Sequence, residues 1–336
     1  MDVGTHALAS LAVTRAIVAR ADLTGWIFIV VAGTIADVDA LSAIFGPSAY
    51  LTWHYTYTHS IVACILGGFI LGVLYFLMRR QGALAEGSIK PVVFAIFLSG
   101  FLHLAMDACV ADGITAFWPF SGHRVAADWL AGVDPWIIVI LLAAILLPEL
   151  SRLVSDEIGA KSRGPRGRVG AIVGLILVVF YIGARANLHA SALAAIQART
   201  YGGESPRRAT AYPEPISLFT WRAIVETDRA LRELTIDVAP GASFDAENGT
   251  ILYKPGASPM LESAQNTEAV KKFLGAASFP KASIEKTAEG YEVEIRDLRY
   301  AVSGEMRHEV VAVVQTDANR RVRQDGLRWG RDLRQR

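Results

Sequence analysis

The chain has 336 residues, 52% hydrophobic and 19% charged, with 33 basic against 32 acidic side chains. A net charge of +1 argues neither for nor against nucleic-acid binding, and no nucleic-acid partner is expected. Two cysteines, Cys64 and Cys109, both inside apolar runs, exclude a disulfide-rich frame and read as small buried hydrophobes.

In chain order, the composition divides into two unlike halves. Residues 1–190 read as a helical transmembrane domain, 191–215 as a linker, and 216–336 as a soluble domain. The opening MDVGTHALASLAVTRAIVAR has no basic start and carries Arg15 within it, so it reads as part of the mature protein rather than a cleaved signal. A span needs roughly 20 apolar residues. Candidates are 25–46, 58–78, 91–110, 132–150 and 168–188, with a shorter first segment at 5–20. Trp26, Trp53, Trp118, Trp129 and Trp136 fall near proposed ends, where interfacial aromatics belong.

Basic residues set the orientation. The connector 79–90 holds Arg79, Arg80 and Lys90, and 151–168 holds Arg152, Lys161, Arg163, Arg166 and Arg168. The stretch 47–57 has none, and 111–131 has only Arg124. The positive-inside rule places the first two connectors in the cytoplasm, together with Arg15 and Arg20. Six spans result, with the N-terminus and the C-terminal domain facing outward from a bacterial inner membrane. The fold class expected is therefore a multi-pass α-helical membrane domain of about six helices followed by a soluble α+β domain with an antiparallel sheet.

In the polar half, SLFTWRAIVET, ALRELTIDV, YEVEIRDLRYA and MRHEVVAVVQT alternate as strands do. SPMLESAQNTEAVKKFLGAAS reads as one amphipathic helix with Ser258 as N-cap and Pro259 in its first turn. The Pro/Gly/Arg-rich YGGESPRRATAYPEP reads as linker. Arg296, Asp297 and Arg299 read as a structural salt-bridge turn, His189 and His308 as surface residues with no identifiable partner, and His54 and His123 as loop residues open to a plain solvated reading.

The membrane half contains ionisable residues where each costs on the order of 2.5–3.5 kcal/mol on insertion scales. His6, Asp37, Asp39, His59, His103 and Asp107 all fall toward the outer side, with His54 in the adjoining loop. Such a set calls for mutual pairing or a shared ion. A single histidine in an apolar run is ordinarily a hydrogen-bonded core residue, and one Asp–His pair serves equally as a proton relay. It is the set at one depth that indicates a site. His103 and Asp107, at i and i+4, share a helical face, and imidazole plus carboxylate is an ordinary ligand set for zinc, manganese or iron. Asp37 and Asp39, at i and i+2, diverge on a regular helix, so AGTIADVDAL predicts a local break near Gly33. One aspartate then ligates while the other orients a histidine.

The segments GTHAL, IADVDAL, HYTYTHS, GFLHLAMD and GITAFWPFS, covering roughly 4–122, carry a resemblance. In order and spacing they resemble the bacterial inner-membrane metal-dependent hydrolases, a family also described as LexA-binding and inner-membrane-associated. The polar half resembles the C-terminal extension of that family's longer members. The resemblance implies that His6, Asp37, His59, His103 and Asp107 bind metal, and that Asp39 and His54 serve as outer or substrate groups. Ala36 stands where the family has proline, and Tyr55 where it has arginine; Arg124 is a candidate to replace that substrate contact. The order of ligands is also similar to zinc-dependent phospholipase C and P1 nuclease. Their later His and His-x-x-x-Glu ligands are not evident, so one or two zinc ions fit better than three.

The activity that this resemblance implies is metal-assisted hydrolysis of a phosphoester, with a lipid or lipid-linked substrate admitted from the bilayer. Asp39 or His54 would act in catalysis, while Tyr55 and Arg124 contact the substrate. Two other classes fit the composition. A metal-ion or proton transporter would favour paired half-repeats and polar residues in both leaflets. A non-catalytic receptor would hold a structural metal with no open coordination position.

Overall fold

In the computed structural model, the described residues are 1–18, 23–81, 88–157, 167–256, 258–300 and 309–330. Arg20, Lys161, Arg163, Arg166 and His308, used or weighed above, lie outside them. The contacts divide the chain into two units. The first is Met1–Asp39, Tyr55–Ala190 and Pro213–Phe219; the second is Ala40–His54, Ser191–Tyr212 and Thr220–Arg336.

The first unit is helical. Its helices are α1 (Val3–Ile17), α2 (Leu23–Ala32), α4 (Ile61–Arg80), α5 (Ile89–Asp107), α6 (Pro135–Glu157) and most of α7 (Arg168–Gln197). Asp2 caps α1 by accepting from the Thr5 N–H at 2.9 Å, and Ser60 caps α4 by accepting from Ala63 at 3.1 Å. Arg79 and Arg80 fall in the last turn of α4, where cations suit the helix dipole. Asp134 opens α6, accepting from the N–H groups of Trp136 (3.1 Å) and Ile137 (3.3 Å). Helix α5 packs against α1, α2 and α4, which makes it the central rod of this unit. Two apolar clusters hold the rods together, one around Met106, Leu130, Ile137 and Leu141, the other around Ile29, Tyr75, Val92 and Ile96.

Among the described residues, four helices are long and apolar enough to cross a membrane. A fifth span exists if α2 and the segment after it, bent by 56°, count as one broken crossing. Six spans are not confirmed by these helices. Helix α1 has 15 residues, about 22 Å at 1.5 Å each, against a hydrocarbon core of about 30 Å. Its Thr5, His6, Ser10 and Thr14 are buried.

The segment after α2, Ile35–Phe45, is a 3-10 helix of 11 residues, far longer than the usual three or four. At three residues per turn, residues three apart eclipse. Ile35, Val38, Leu41 and Ile44 therefore form one exposed apolar row, 48, 52, 58 and 78% accessible. Asp37 and Asp39 lie about 120° apart on such a helix rather than about 160° apart on an α-helix, so both can turn inward.

The second unit contains two four-stranded sheets. The first runs β1 (Arg208–Pro213), β2 (Thr220–Glu226), β3 (Ala230–Asp237), β4 (Thr250–Tyr253) in that order. The second runs β5 (Pro280–Thr287), β6 (Gly290–Asp297), β7 (Val310–Asp317), β8 (Val322–Trp329), all pairs antiparallel. The stretch read as linker thus contains β1 and a fully buried Tyr201, and α7 continues to Gln197. The helix expected over 258–278 is two helices, α8 (Pro259–Gln265) and α9 (Glu268–Ala276). Thr267 accepts from the Val270 N–H and caps α9, whereas the Ser258 side chain makes no cap bond.

Val293, Ile295, Ala312 and Val314 pack under Ala264, Val270 and Phe273 as one core. A short helix from the loop before α4, α3 (Pro47–Trp53), joins this core through Tyr50 and Leu51. Asp297 anchors the turn after β6. It accepts from the N–H groups of Ser278, Phe279 and Arg299 and pairs with Arg299 Nε at 2.8 Å. His189, expected at the surface, is 9% exposed on α7. Cys109 is buried and Cys64 half-buried, both as free thiols.

Candidate metal centre

Four polypeptide segments of the first unit deliver the site. His6 sits on the second turn of α1; Asp37 and Asp39 come from the 3-10 segment; His59 precedes the α4 cap; His103 and Asp107 occupy the last turns of α5. One carboxylate or imidazole atom from each of His6, Asp37, His103 and Asp107 lies within 4.8 Å of all the others, and all four side chains are buried. His59 Nε2 adds to this group, at 3.2 Å from Asp107 Oδ2, 3.2 Å from His103 Nε2 and 3.6 Å from Asp37 Oδ1. His6 Nε2 stands 3.1 Å from Asp107 Oδ1, and the α-amine of Met1 also contacts that oxygen.

Partners on the far side of two imidazoles decide what the near side offers. His103 Nδ1 lies 2.9 Å from the Gly33 carbonyl, which only accepts, so Nδ1 carries the proton. His59 Nδ1 lies 2.9 Å from Asp39 Oδ2, with the same consequence. In the neutral imidazoles both Nε2 atoms then present lone pairs, to each other and to Asp107 Oδ2, 3.1 Å from His103. Despite that closeness, Asp107 Oδ2 has no hydrogen-bond partner among the described residues, nor has Asp37 Oδ2. Convergent lone pairs repel unless a metal ion, or a proton on one of the imidazoles, sits among them. The donor set, imidazole nitrogen plus carboxylate oxygen, suits a divalent transition ion. Fixing the tautomer from behind is how metal-ligating histidines are oriented.

Asp39 is 7% exposed and faces away from the lone pairs. Its Oδ2 accepts from His59 Nδ1, from the Tyr55 N–H at 3.1 Å and from the Thr58 hydroxyl. Tyr55 adopts φ 60°, a left-handed conformation uncommon for a bulky residue, and its ring meets His59 edge-on at 4.9 Å between centroids. The loop is held from the other side by Thr115 in the GITAFWPF stretch. Its N–H bonds the Tyr55 carbonyl at 3.1 Å and its hydroxyl the Thr56 carbonyl at 2.7 Å.

The remaining candidates lie elsewhere. His54 is the C-cap of α3 in the second unit, stacked on Tyr50 with centroids 4.6 Å apart. Arg124 donates through Nη1 to the Asp112 carbonyl at 2.9 Å, in the loop after α5. Sequence reasoning missed the Gly33 carbonyl and Thr58. A backbone acceptor has no side-chain signature, and the hydroxyl beside His59 in TYTHS was legible only as a neighbour.

Gly33 permits a close approach. A Cβ there would lie 1.9 Å from Ser10 Oγ and 3.2 Å from Ser10 Cβ. Gly33→Ala is expected to push the carbonyl off His103 and weaken divalent-metal binding about tenfold, the lower end for outer partners. Adding Ser10→Ala should restore part of it, as titration of both purified variants would reveal; equal affinity in all three proteins would refute the argument.

A family model described as YdjM inner membrane protein matches residues 1–192, more than half the chain. The chain belongs to the YdjM inner membrane protein family. A second model, the YfhP C-terminal alpha/beta plait domain, matches residues 259–336, the part holding α8, α9 and the β5–β8 sheet. No curated protein and no solved structure matches the chain. The YdjM match encloses every member of the His/Asp cluster, and together with the apolar helices it supports an inner-membrane location.

Proposed function

We propose that this YdjM-family chain is a membrane-bound metal-dependent hydrolase that cleaves a phosphoester at the outer-leaflet side of the inner membrane. The observation that carries the reading is the convergence of Asp107 Oδ2 and Asp37 Oδ1 on His59 Nε2 and His103 Nε2, each oxygen within 3.9 Å of both nitrogens, with the two Nδ1 protons committed elsewhere. His6, Asp37, His59, His103 and Asp107 hold the ion, zinc being the best match to nitrogen and oxygen donors. When bound, such an ion supplies Lewis acidity toward a phosphoryl oxygen and lowers the pKa of water.

The chain's own groups divide the remaining work. Asp39 Oδ2 keeps the proton on His59 Nδ1 and fixes the ring. Asp37 Oδ2, buried without a hydrogen-bond partner among the described residues, is the oxygen we assign to take the proton from the attacking water. The cluster lies where α4 begins and α5 ends, at the end away from Arg79, Arg80 and Lys90. The positive-inside rule then places it outward, with the C-terminal domain extracytoplasmic. A lipid or lipid-linked phosphoester is the substrate class reachable from that position.

Metal analysis of the full-length protein, purified without chelators, tests the reading beside a screen of phosphomonoester and phosphodiester substrates. Stoichiometric zinc and hydrolysis that disappears with chelation and returns with Zn²⁺ are expected. A protein that neither retains nor rebinds a divalent ion would overturn it. A C-terminal alkaline phosphatase fusion should be active if the domain faces outward.

A further inference from the structure

We infer that the segment Ala40–His54 anchors the second unit to a lipid bilayer, with Leu41, Ile44, Phe45 and Trp53 immersed at the boundary between headgroups and acyl chains; nothing in this depends on the metal centre. From Ala40 to Trp53 the sequence ALSAIFGPSAYLTW contains no charged side chain. Leu41, Ile44 and Phe45 lie in the last turns of the 3-10 helix, and Trp53 ends α3. Their exposures are 58, 78, 84 and 55%. One exposed apolar residue is ordinary, but four this large in one uncharged segment mark a surface that something covers.

The rest of the segment is what holds those side chains out. Helix α3 has seven residues, too few to stand alone in water. It is ordered by Tyr50 and Leu51, which pack on the core of α8, α9 and the β5–β8 sheet, Tyr50 meeting Trp329 of β8 at 5.4 Å with an interplanar angle of 63°. Two features favour lipid over a protein partner as the cover. Polar groups of the segment are engaged locally: the Gly46 N–H bonds the Ala43 carbonyl at 3.0 Å, Thr52 Oγ1 donates to the Ser48 carbonyl at 2.7 Å, and Ser42 Oγ is buried. A protein interface carries about one hydrogen bond per 100–200 Å², whereas an acyl phase requires that such groups be satisfied internally. The second feature is charge. Lys272 Nζ of α9, exposed, donates to Ser48 Oγ at 2.8 Å and so fixes a cation beside the apolar side chains. A lysine bordering apolar surface suits the depth at which lipid phosphates lie. Among the described residues, four helices of this chain are long and apolar enough to cross a membrane, so a bilayer is within reach.

Nitroxide labels on the full-length chain in liposomes test this by power-saturation electron spin resonance. Ile44→Cys and Phe45→Cys carry the label in a background with Cys64 and Cys109 changed to alanine, and Lys286→Cys, at an exposed position of β5, is the aqueous reference. Labels at 44 and 45 should be several-fold more accessible to oxygen, relative to a water-soluble nickel chelate, than the label at 286. A photoreactive benzoylphenylalanine at position 45, which needs no change of cysteine, should cross-link to lipid on irradiation. Chelate accessibility at 44 and 45 equal to that at 286 overturns the inference. Protection from both reagents, with cross-links to a second copy of the chain or to another protein in place of lipid, overturns it equally.

Discussion

If the centre is the metal-dependent hydrolytic site proposed above, His103→Ala is expected to strip the divalent ion from the purified protein and to abolish turnover. The imidazole Nε2 stands 3.1 Å from Asp107 Oδ2, 3.2 Å from His59 Nε2 and 3.9 Å from Asp37 Oδ1, so its loss opens the ligand set at its centre. The substitution also orphans the Gly33 carbonyl, which accepts from Nδ1, at about 1–3 kcal/mol for a buried group. Asp39→Asn provides the scale. It removes only the charge behind His59, and outer partners of this kind cost about 10- to 100-fold in affinity. His103→Ala should exceed that. Metal per chain by mass spectrometry, measured on both variants, checks the order; a His103→Ala protein with full metal content would remove this residue from the centre.

Asp297→Ala is expected to give the largest stability loss in the second unit. The carboxylate is 2% exposed, and its two oxygens accept from three backbone N–H groups as well as Arg299 Nε. Arg299, 7% exposed, would lose its carboxylate partner while keeping its bond from Nη2 to the Ala276 carbonyl at 2.8 Å. Arg222 reaches the same turn through the carbonyls of Leu298 and Arg299, so the damage spreads to β2. Removing one partner of a buried pair costs about 3–5 kcal/mol. For a domain of this size that is roughly 6–20 °C in Tm. Thermal unfolding of the full chain, followed with hydrogen exchange in β5–β8, measures it. A shift of a degree or two would show that the turn is held by its backbone alone.

The long apolar runs were legible because lipid allows no other reading of twenty such residues, and 58–78, 91–110, 132–150 and 168–188 reappear as α4 to α7, with α6 and α7 running on to Glu157 and Gln197. What escaped was conformation set by tertiary contact. The break expected near Gly33 is present, α2 ending at Ala32 with a 56° bend after it, but nothing in the composition of Ile35–Phe45 distinguishes three residues per turn from 3.6. In the polar half, one amphipathic pattern over 258–278 concealed a break at Thr267, whose hydroxyl caps the second piece. Arg208–Pro213 was hidden by its proline- and arginine-rich surroundings, although three consecutive residues, Thr210 to Tyr212, are buried. At the centre, residue types and spacings placed His103 and Asp107 on one face. The division of labour between Asp37 and Asp39 needed the coordinates, since i and i+2 fixes neither face without knowing the turn.

That turn carries a rule for how this segment tolerates insertion and deletion. Its apolar row repeats every third residue, Ile35, Val38, Leu41, Ile44, with the aspartates on the two other rows. Adding or deleting three residues upstream of Asp37 returns each row to its own side. A change of one or two rotates an aspartate toward the lipid, at on the order of 2.5–3.5 kcal/mol per charge. Length variation among homologues of this stretch should therefore come in threes, a ternary reading frame written in protein rather than in nucleic acid.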